Sequence, residues 1–280
     1  MKILITGANG QLGRELANQY KEKKGIDLIL TDVSDLDIAN INEVYSFVNE
    51  NKPDVIINCA ALTAVDKCET EIDMAYKINT IGPKNLAAAA NQIGAEIVQV
   101  STDYVFAGDV HQSLTEFDCV DPQTIYGKTK LDGEILVKNH NAKHYIVRTA
   151  WLYGDGNNFV KTMINLSKTN KTLKVVNDQR GTPTSTVDLA KVIIKLVEDK
   201  NYGLFHCTCK GECTWYEFTK EIFRLKGIDT EVLPCTTDEF PRPAKRPEYS
   251  VLRNSMLELT TGDITRTWRS EEHTSELQSP

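Results

Sequence analysis

Short apolar runs and helix-length stretches alternate through the first half of the chain. The runs lie at Lys2–Thr6, Asp27–Thr31, 55–59 and 96–101. Runs of this length and uniform apolarity read as parallel strands buried on both faces. Between them, 10–23, Ile41–Asn51 and 83–93 have helical length; the last is rich in alanine, with Gly94 after it as a stop. The alternation predicts a βαβ series, hence an α/β fold on a doubly wound parallel sheet of Rossmann type.

Past a further apolar strand at 145–151 the pattern loosens. Thr172–Val176 reads as a strand and 177–184 as a loop. Ser185 or Thr186 can cap a helix whose apolar positions Ala190, Ile193, Ile194 and Val197 keep helical spacing. A strand at 203–209 and a helix at 215–225, preceded by Thr214, follow. The run Phe240-Pro241-Arg242-Pro243-Ala244-Lys245-Arg246-Pro247 is expected to be a loop, perched over a ligand, because each proline removes a donor and restricts its predecessor. The reading divides the chain into a dinucleotide-binding domain at 1–150 and a smaller, mainly substrate-binding region at 151–268, some of whose elements return to the first sheet. Residues 269–280 have no periodicity and resemble the translation of a DNA-sequencing adapter, so they are expected to be a non-native tail; a disordered native tail is the alternative.

Composition narrows the class. The 280 residues are 41% hydrophobic and 25% charged, and no apolar stretch has bilayer length, which argues against a membrane protein. The apolar run after Met1 is too short for a signal peptide. A net charge of -7 without a basic tract argues against a nucleic-acid partner. Seven cysteines, an odd number, suit reduced thiols in the cytoplasm better than a disulfide framework. Cys207, Cys209 and Cys213 cluster, but their spacing lacks a partner pair and the first two would share one strand face, so no metal site is expected.

Candidate chemistry begins with Thr6-Gly7-Ala8-Asn9-Gly10-Gln11-Leu12-Gly13, which follows a strand and opens a helix. Gly7 allows a tight turn, Gly10 lets backbone N–H groups approach a pyrophosphate, and Gly13 permits close packing beside an anion-attracting helix N-terminus. Asp32, at the end of the second strand, suits the adenosine ribose hydroxyls, and its charge favours NADH over NADPH. Arg14 weakens that preference if it meets a phosphate; a solvated helix arginine fits as well.

Tyr126-Gly127-Lys128-Thr129-Lys130 sets a phenol and an ammonium four residues apart on one helix face. A phenol that works at neutral pH calls for a nearby positive charge to stabilise phenolate, and Lys130 is placed to supply it. Alone, such a pair is more often a surface tyrosine beside a solvated lysine. Ser101-Thr102-Asp103, read as the end of the fifth strand of the parallel series, adds a hydroxyl, Thr102, where ligands bind such sheets.

With these features the chain resembles the extended short-chain dehydrogenase/reductase superfamily and, within it, the dTDP-4-dehydrorhamnose reductase family. The narrower resemblance rests on Asn58-Cys59-Ala60-Ala61-Leu62-Thr63-Ala64-Val65-Asp66-Lys67-Cys68-Glu69, Ser101-Thr102-Asp103-Tyr104-Val105-Phe106, Tyr126 to Lys130 and Arg148-Thr149-Ala150-Trp151-Leu152-Tyr153. Asn157-Asn158-Phe159, Asn177-Asp178-Gln179 and Arg246-Pro247-Glu248-Tyr249-Ser250 extend it. It implies that Asn9, Gly10, Gln11, Asp32, Asp37, Ile38, Ala61 and Thr63 surround NADPH or NADH, with Tyr126 and Lys130 at the nicotinamide ribose. Gly7, Leu12, Gly13 and Ala60 complete the candidate cofactor set. Thr102, Asp103 and Trp151 are implied to touch a dTDP-sugar, and Arg246 suits its diphosphate, although Trp151 could equally be a core aromatic and Arg246 a solvated loop residue. The implied reaction is reduction of the C4 ketone of dTDP-6-deoxy-L-lyxo-4-hexulose to dTDP-L-rhamnose, with Thr102, Tyr126 and Lys130 catalytic and Tyr126 the proton donor. Cys59 stands where the family often has alanine. The resemblance implies a C-terminal helix after Trp268, which some members use for a magnesium-assisted homodimer contact; this chain carries the 269–280 string there instead. The alternatives are a sugar-nucleotide epimerase or dehydratase that retains NAD, and a non-catalytic regulatory subunit on the same fold.

Overall fold

A computed structural model describes residues 1–270 of the chain. The expected strands form as β1 (Lys2–Thr6), β2 (Asp27–Thr31), β3 (Val55–Asn58), β4 (Glu96–Thr102) and β5 (His144–Thr149). With the strand Gly203–His206 they make one six-stranded parallel sheet, ordered Gly203–His206, β5, β4, β3, β1, β2. The apolar runs are explained by two-sided burial. Ile3, Ile5, Val55 and Ile57 pack on one face under α1 (Gln11–Lys21) and the helix Thr186–Asp199. Leu4, Ile56 and Ile97 pack on the other, under α2 (Ile41–Asn51) and, further along the chain, the helix Gly82–Gln92. Successive strand side chains point to opposite faces, so only a run with no polar gap can fill both layers.

Two short helices, α3 (Val65–Cys68) and α4 (Ile72–Tyr76), lead through a π-helical turn at Lys77–Ile81 into α5 (Gly82–Gln92). The long helix α6 (Ile125–His140) lies against this turn, so close that a Cβ on Gly133 would stand 2.3 Å from the Asn79 carbonyl oxygen. Thr124 caps α6 by accepting the Gly127 N–H at 3.0 Å. Because β1 sits between β2 and β3, the strand order reverses between β1 and β3, opening at their C-terminal ends the crevice in which doubly wound sheets bind ligands.

The later residues build a second apolar cluster around Tyr153, Phe218, Ile222 and Trp268. There Thr172–Val176 pairs in parallel with Glu231–Cys235, beside the helices Phe159–Ser167 and Trp215–Lys226. The helix Thr186–Asp199 and the strand Gly203–His206 go back to the first sheet. Ser185 is the cap of that helix, accepting the Val187 N–H at 3.1 Å, and Thr214 caps the later one in a reciprocal capping box with Glu217.

Several expectations are corrected. Ser101 and Thr102 end the fourth strand of the chain, not the fifth, and Asp103 begins a one-turn helix. The strand predicted at 203–209 stops at His206, and its cysteines diverge, Cys207 into the sheet core and Cys209 into the second cluster. The 177–184 loop contains two-residue strands, Arg180–Gly181 and Thr184–Ser185. Trp151 is not in the strand, which ends at Thr149; it turns the chain with a left-handed φ of 47°. Residues 240–247 form a loop, as expected. Of the 269–280 string only Arg269, stacked on Trp268 at 4.5 Å, and Ser270 are described; the remainder lies outside the described residues.

Candidate active site

A cleft of about 1710 Å³ opens at the crevice between β1 and β3 and runs across to the second cluster. Gly7, Asn9, Gly10, Gln11, Leu12, Gly13, Asp32, Asp37, Ile38, Ala60, Ala61 and Thr63 line one part of it. Thr102, Asp103, Tyr126, Lys130, Trp151 and Arg246 line the rest. Residues scattered over most of the sequence thus share one cavity.

The glycine turn is built for close approach. Gly7 has φ 63°, and a Cβ there would sit 2.7 Å from the Ala60 nitrogen; on Gly13 it would sit 2.4 Å from the Gly7 carbonyl oxygen. Gly10 caps α1 without a side-chain bond, leaving the first N–H groups of the helix free of an internal partner. Asp32 follows β2 and accepts the Asn9 N–H at 3.2 Å, so it braces the turn as well as facing the cleft. Arg14 lines the cleft, and its guanidinium donates to the carbonyls of Asn9 and Asp155, tying the turn to the later region. Asn158 adds a second tie, donating to Gln11 Oε1 at 2.9 Å. Opposite, Asp37 holds its own loop by accepting the Ala39 N–H at 2.9 Å, and Ile38 packs against Gly82.

At the catalytic end, Thr102 donates to Asp103 Oδ1 at 2.9 Å and shares a hydrogen bond with the Tyr126 hydroxyl. The Tyr126 ring meets Tyr104 edge to face, centroids 5.4 Å apart. Burial pushes the Tyr126 phenol well above its ordinary range, and the nearby Asp103 charge adds to the rise. Burial also pushes the Asp103 carboxyl up to about 6, against hydrogen bonds from Thr102 and Ser250. Lys130 lines the cleft with Tyr126. Its Nζ donates to the Val100 carbonyl at 2.6 Å, and burial pushes it down to about 8, opposed by Glu134 and Cys59.

Trp151 lies flat on Trp215, centroids 3.4 Å apart and planes 8° apart, and Trp215 Nε1 donates to Gln179 at 3.2 Å. Arg246 lines the cleft with part of its fork already used: it donates to Asp66 Oδ2 at 2.8 Å and to the Ala244 carbonyl at 3.0 Å. This pair latches the 240–247 loop onto α3.

Three contributors escaped the sequence reading. Asn79, in the π turn, accepts the Leu62 N–H at 2.8 Å and donates to Thr129 at 3.2 Å, joining the loop after β3 to the turn of α6 that precedes Lys130. No periodicity marks it, since a π turn arises from packing. Trp215 looked like an ordinary first helical residue, and Glu134 was hidden by its distance from Arg148 in sequence. Among the described residues no group of three or more His, Cys, Asp or Glu could hold a metal ion, and no helix is long and apolar enough to cross a membrane. The seven cysteines are free thiols.

The family model described as the RmlD substrate binding domain matches residues 1–276. The chain belongs to that family. A solved dTDP-4-dehydrorhamnose reductase from Clostridium acetobutylicum ATCC 824 is 69% identical, with a TM-score of 0.97 over 99% of this chain and 98% of that one. A second, from Bacillus anthracis str. Ames in complex with NADP, is 44% identical with a TM-score of 0.94, covering 99% and 97%. The spore coat polysaccharide biosynthesis protein SpsK of Bacillus subtilis (strain 168) is 44% identical over 96% of this chain and 94% of its own length. Membership of the RmlD family makes the chain a Rossmann-type oxidoreductase of nucleotide-sugar metabolism.

Proposed function

We propose that the chain reduces the C4 ketone of dTDP-6-deoxy-L-lyxo-4-hexulose to dTDP-L-rhamnose with NADPH. The reading is carried by one observation: Tyr126, half-buried and hydrogen-bonded to Thr102, lines the same cleft as the glycine turn. The turn fits a dinucleotide, because Gly7 and Gly13 leave no room for a side chain and the first N–H groups of α1 lack a capping side chain. Gly7, Asn9, Gly10, Gln11, Leu12 and Gly13 would hold the pyrophosphate end, with Asp32, Asp37, Ile38, Ala60, Ala61 and Thr63 around the rest. The bound nicotinamide supplies hydride to the carbonyl carbon. Thr102 orients the carbonyl oxygen, and Tyr126 donates its proton as negative charge develops there. Lys130 places a positive charge beside the ribose. Asp103, Trp151 and Arg246 are assigned to the dTDP-sugar, and 151–268 to a mainly substrate-binding role. Free thiols and a nucleotide-activated substrate fit a cytoplasmic setting.

Although Asp32 favours NADH on charge alone, the relative solved with NADP supports the phosphorylated cofactor. The test is a spectrophotometric assay in which NADPH oxidation depends on the 4-keto sugar nucleotide, with the product identified by mass. Absence of turnover with that sugar, or protein that retains NAD through a closed cycle, overturns the reading in favour of an epimerase or dehydratase.

A further inference from the structure

Lys130 is followed one helical turn later by Glu134, on the same face of α6. Glu134 is 1% exposed and fully engaged: Arg148 Nε donates to its Oε1 at 2.9 Å, Arg148 Nη2 to its Oε2 at 2.7 Å, and the Ser101 hydroxyl to its Oε1 at 2.5 Å. Ser101 on β4 and Arg148 on β5 are cross-strand neighbours in register, so two adjacent strands grip one carboxylate. Val100, whose carbonyl receives the Lys130 ammonium, immediately precedes Ser101. A chain of contacts therefore runs from the cleft through Lys130 and Val100 to a buried ion pair directly behind it.

We propose that Glu134, clamped by Arg148 and Ser101, is a positioning residue that keeps the buried Lys130 ammonium charged and aimed along α6 into the cleft. The inference rests on the proposed role of Lys130. Charge accounting supports it. The groups facing Lys130 are Glu134 on its own helix and Cys59 from the loop after β3, and burial pushes the Cys59 thiol up to about 12, leaving it neutral. Tyr126, on the same helix face, is also neutral, and His206, beyond Arg148, is held neutral by burial and by the Arg148 charge. Among the described residues Glu134 is thus the anion acting on an ammonium that desolvation drives toward its neutral form. Arg148 fixes where that anion stands and limits its freedom to rotate away. A buried pair of this kind is a weak source of stability but a strong source of geometry.

The test is a titration of the folded protein carrying [ε-13C]lysine, the Lys130 resonance being assigned by its loss in Lys130→Arg. The parent is expected to titrate near 8. Glu134→Gln should lower the midpoint by roughly one pH unit or more, while Glu134→Asp, which keeps the charge, should stay near the parent. The alkaline limb of kcat for NADPH-dependent reduction should move with the midpoint, with little change in the KM for the sugar. If Glu134→Gln fails to fold, Glu134→Gln with Arg148→Met removes both buried charges together, and the midpoint should still fall below the parent, by less than in the single variant because a neighbouring cation is lost with the anion. A parent-like midpoint in whichever of these folds overturns the proposal. Loss of turnover in the parent itself sinks the proposed function instead, and the midpoint still decides the role of Glu134.

Discussion

The indole of Trp151 lies flat on that of Trp215, 3.4 Å between centroids, and the pair forms the wall where the cleft meets the second apolar cluster. The Trp151 backbone adopts a left-handed φ of 47° to place its ring there, a conformation a bulky residue takes only when packing compensates. A Cβ on Gly181 would come within 2.4 Å of the Trp151 ring, so Gly181 also packs closely against it. Trp215→Ala is therefore expected to raise the KM for the sugar nucleotide about tenfold with a smaller effect on kcat, and to destabilise the fold by about 3 kcal/mol, measured by steady-state kinetics and urea unfolding. Equal losses in kcat and kcat/KM would show instead that the pair acts on the chemical step.

Removing the proton donor separates chemistry from binding. Tyr126→Phe keeps the ring against Tyr104 but has no proton to give, so kcat should fall by about 10²–10⁴ while NADPH binding, followed by fluorescence, changes little. Thr102→Ala should lose less, because it removes an orienting hydrogen bond and leaves the acid in place. A Phe variant with full turnover would require a different acid.

The glycine turn offers a steric test. Gly7→Ala sets a methyl 2.7 Å from the Ala60 nitrogen at a φ of 63°, so NADPH affinity should drop by at least about tenfold and stability by about 2 kcal/mol or more. Fluorescence titration and thermal unfolding measure both. Parent-like binding would mean that the turn shifts without cost.

Two buried groups give opposite pH signatures. Asp103 is raised to about 6, so between roughly pH 4 and 6 the folded state holds a proton that the unfolded chain has released. Its cost to stability thus grows as pH rises through that window and is complete above it. His206 is lowered to about 3, so the unfolded chain holds the extra proton between about pH 3 and 6.5, and stability falls as pH falls. Asp103→Asn should stabilise the protein at pH 7 by on the order of 3 kcal/mol at most and steepen the acid limb, since His206 then acts unopposed. Denaturant unfolding across pH 3 to 8 reads both effects; an unchanged acid limb would contradict the assignment.

Much of this protein was legible from local pattern. Apolar runs such as Lys2–Thr6 dictate two-sided burial because side chains alternate across a strand, and Gly7 and Gly13 mark a turn whose backbone tolerates no Cβ. Tyr126 and Lys130 share a helix face by spacing alone. Tertiary structure decided what lies around them. Lys130 bonds a carbonyl on β4, Glu134 meets Arg148 from β5, Arg246 latches onto Asp66, and Trp151 meets Trp215, each pairing chain segments that sequence order separates. Helical and strand periods are short-range consequences of backbone geometry and can be read in a window of residues. Whether a side chain is charged, clamped or stacked depends on which distant surfaces exclude water around it, and only the folded chain specifies those.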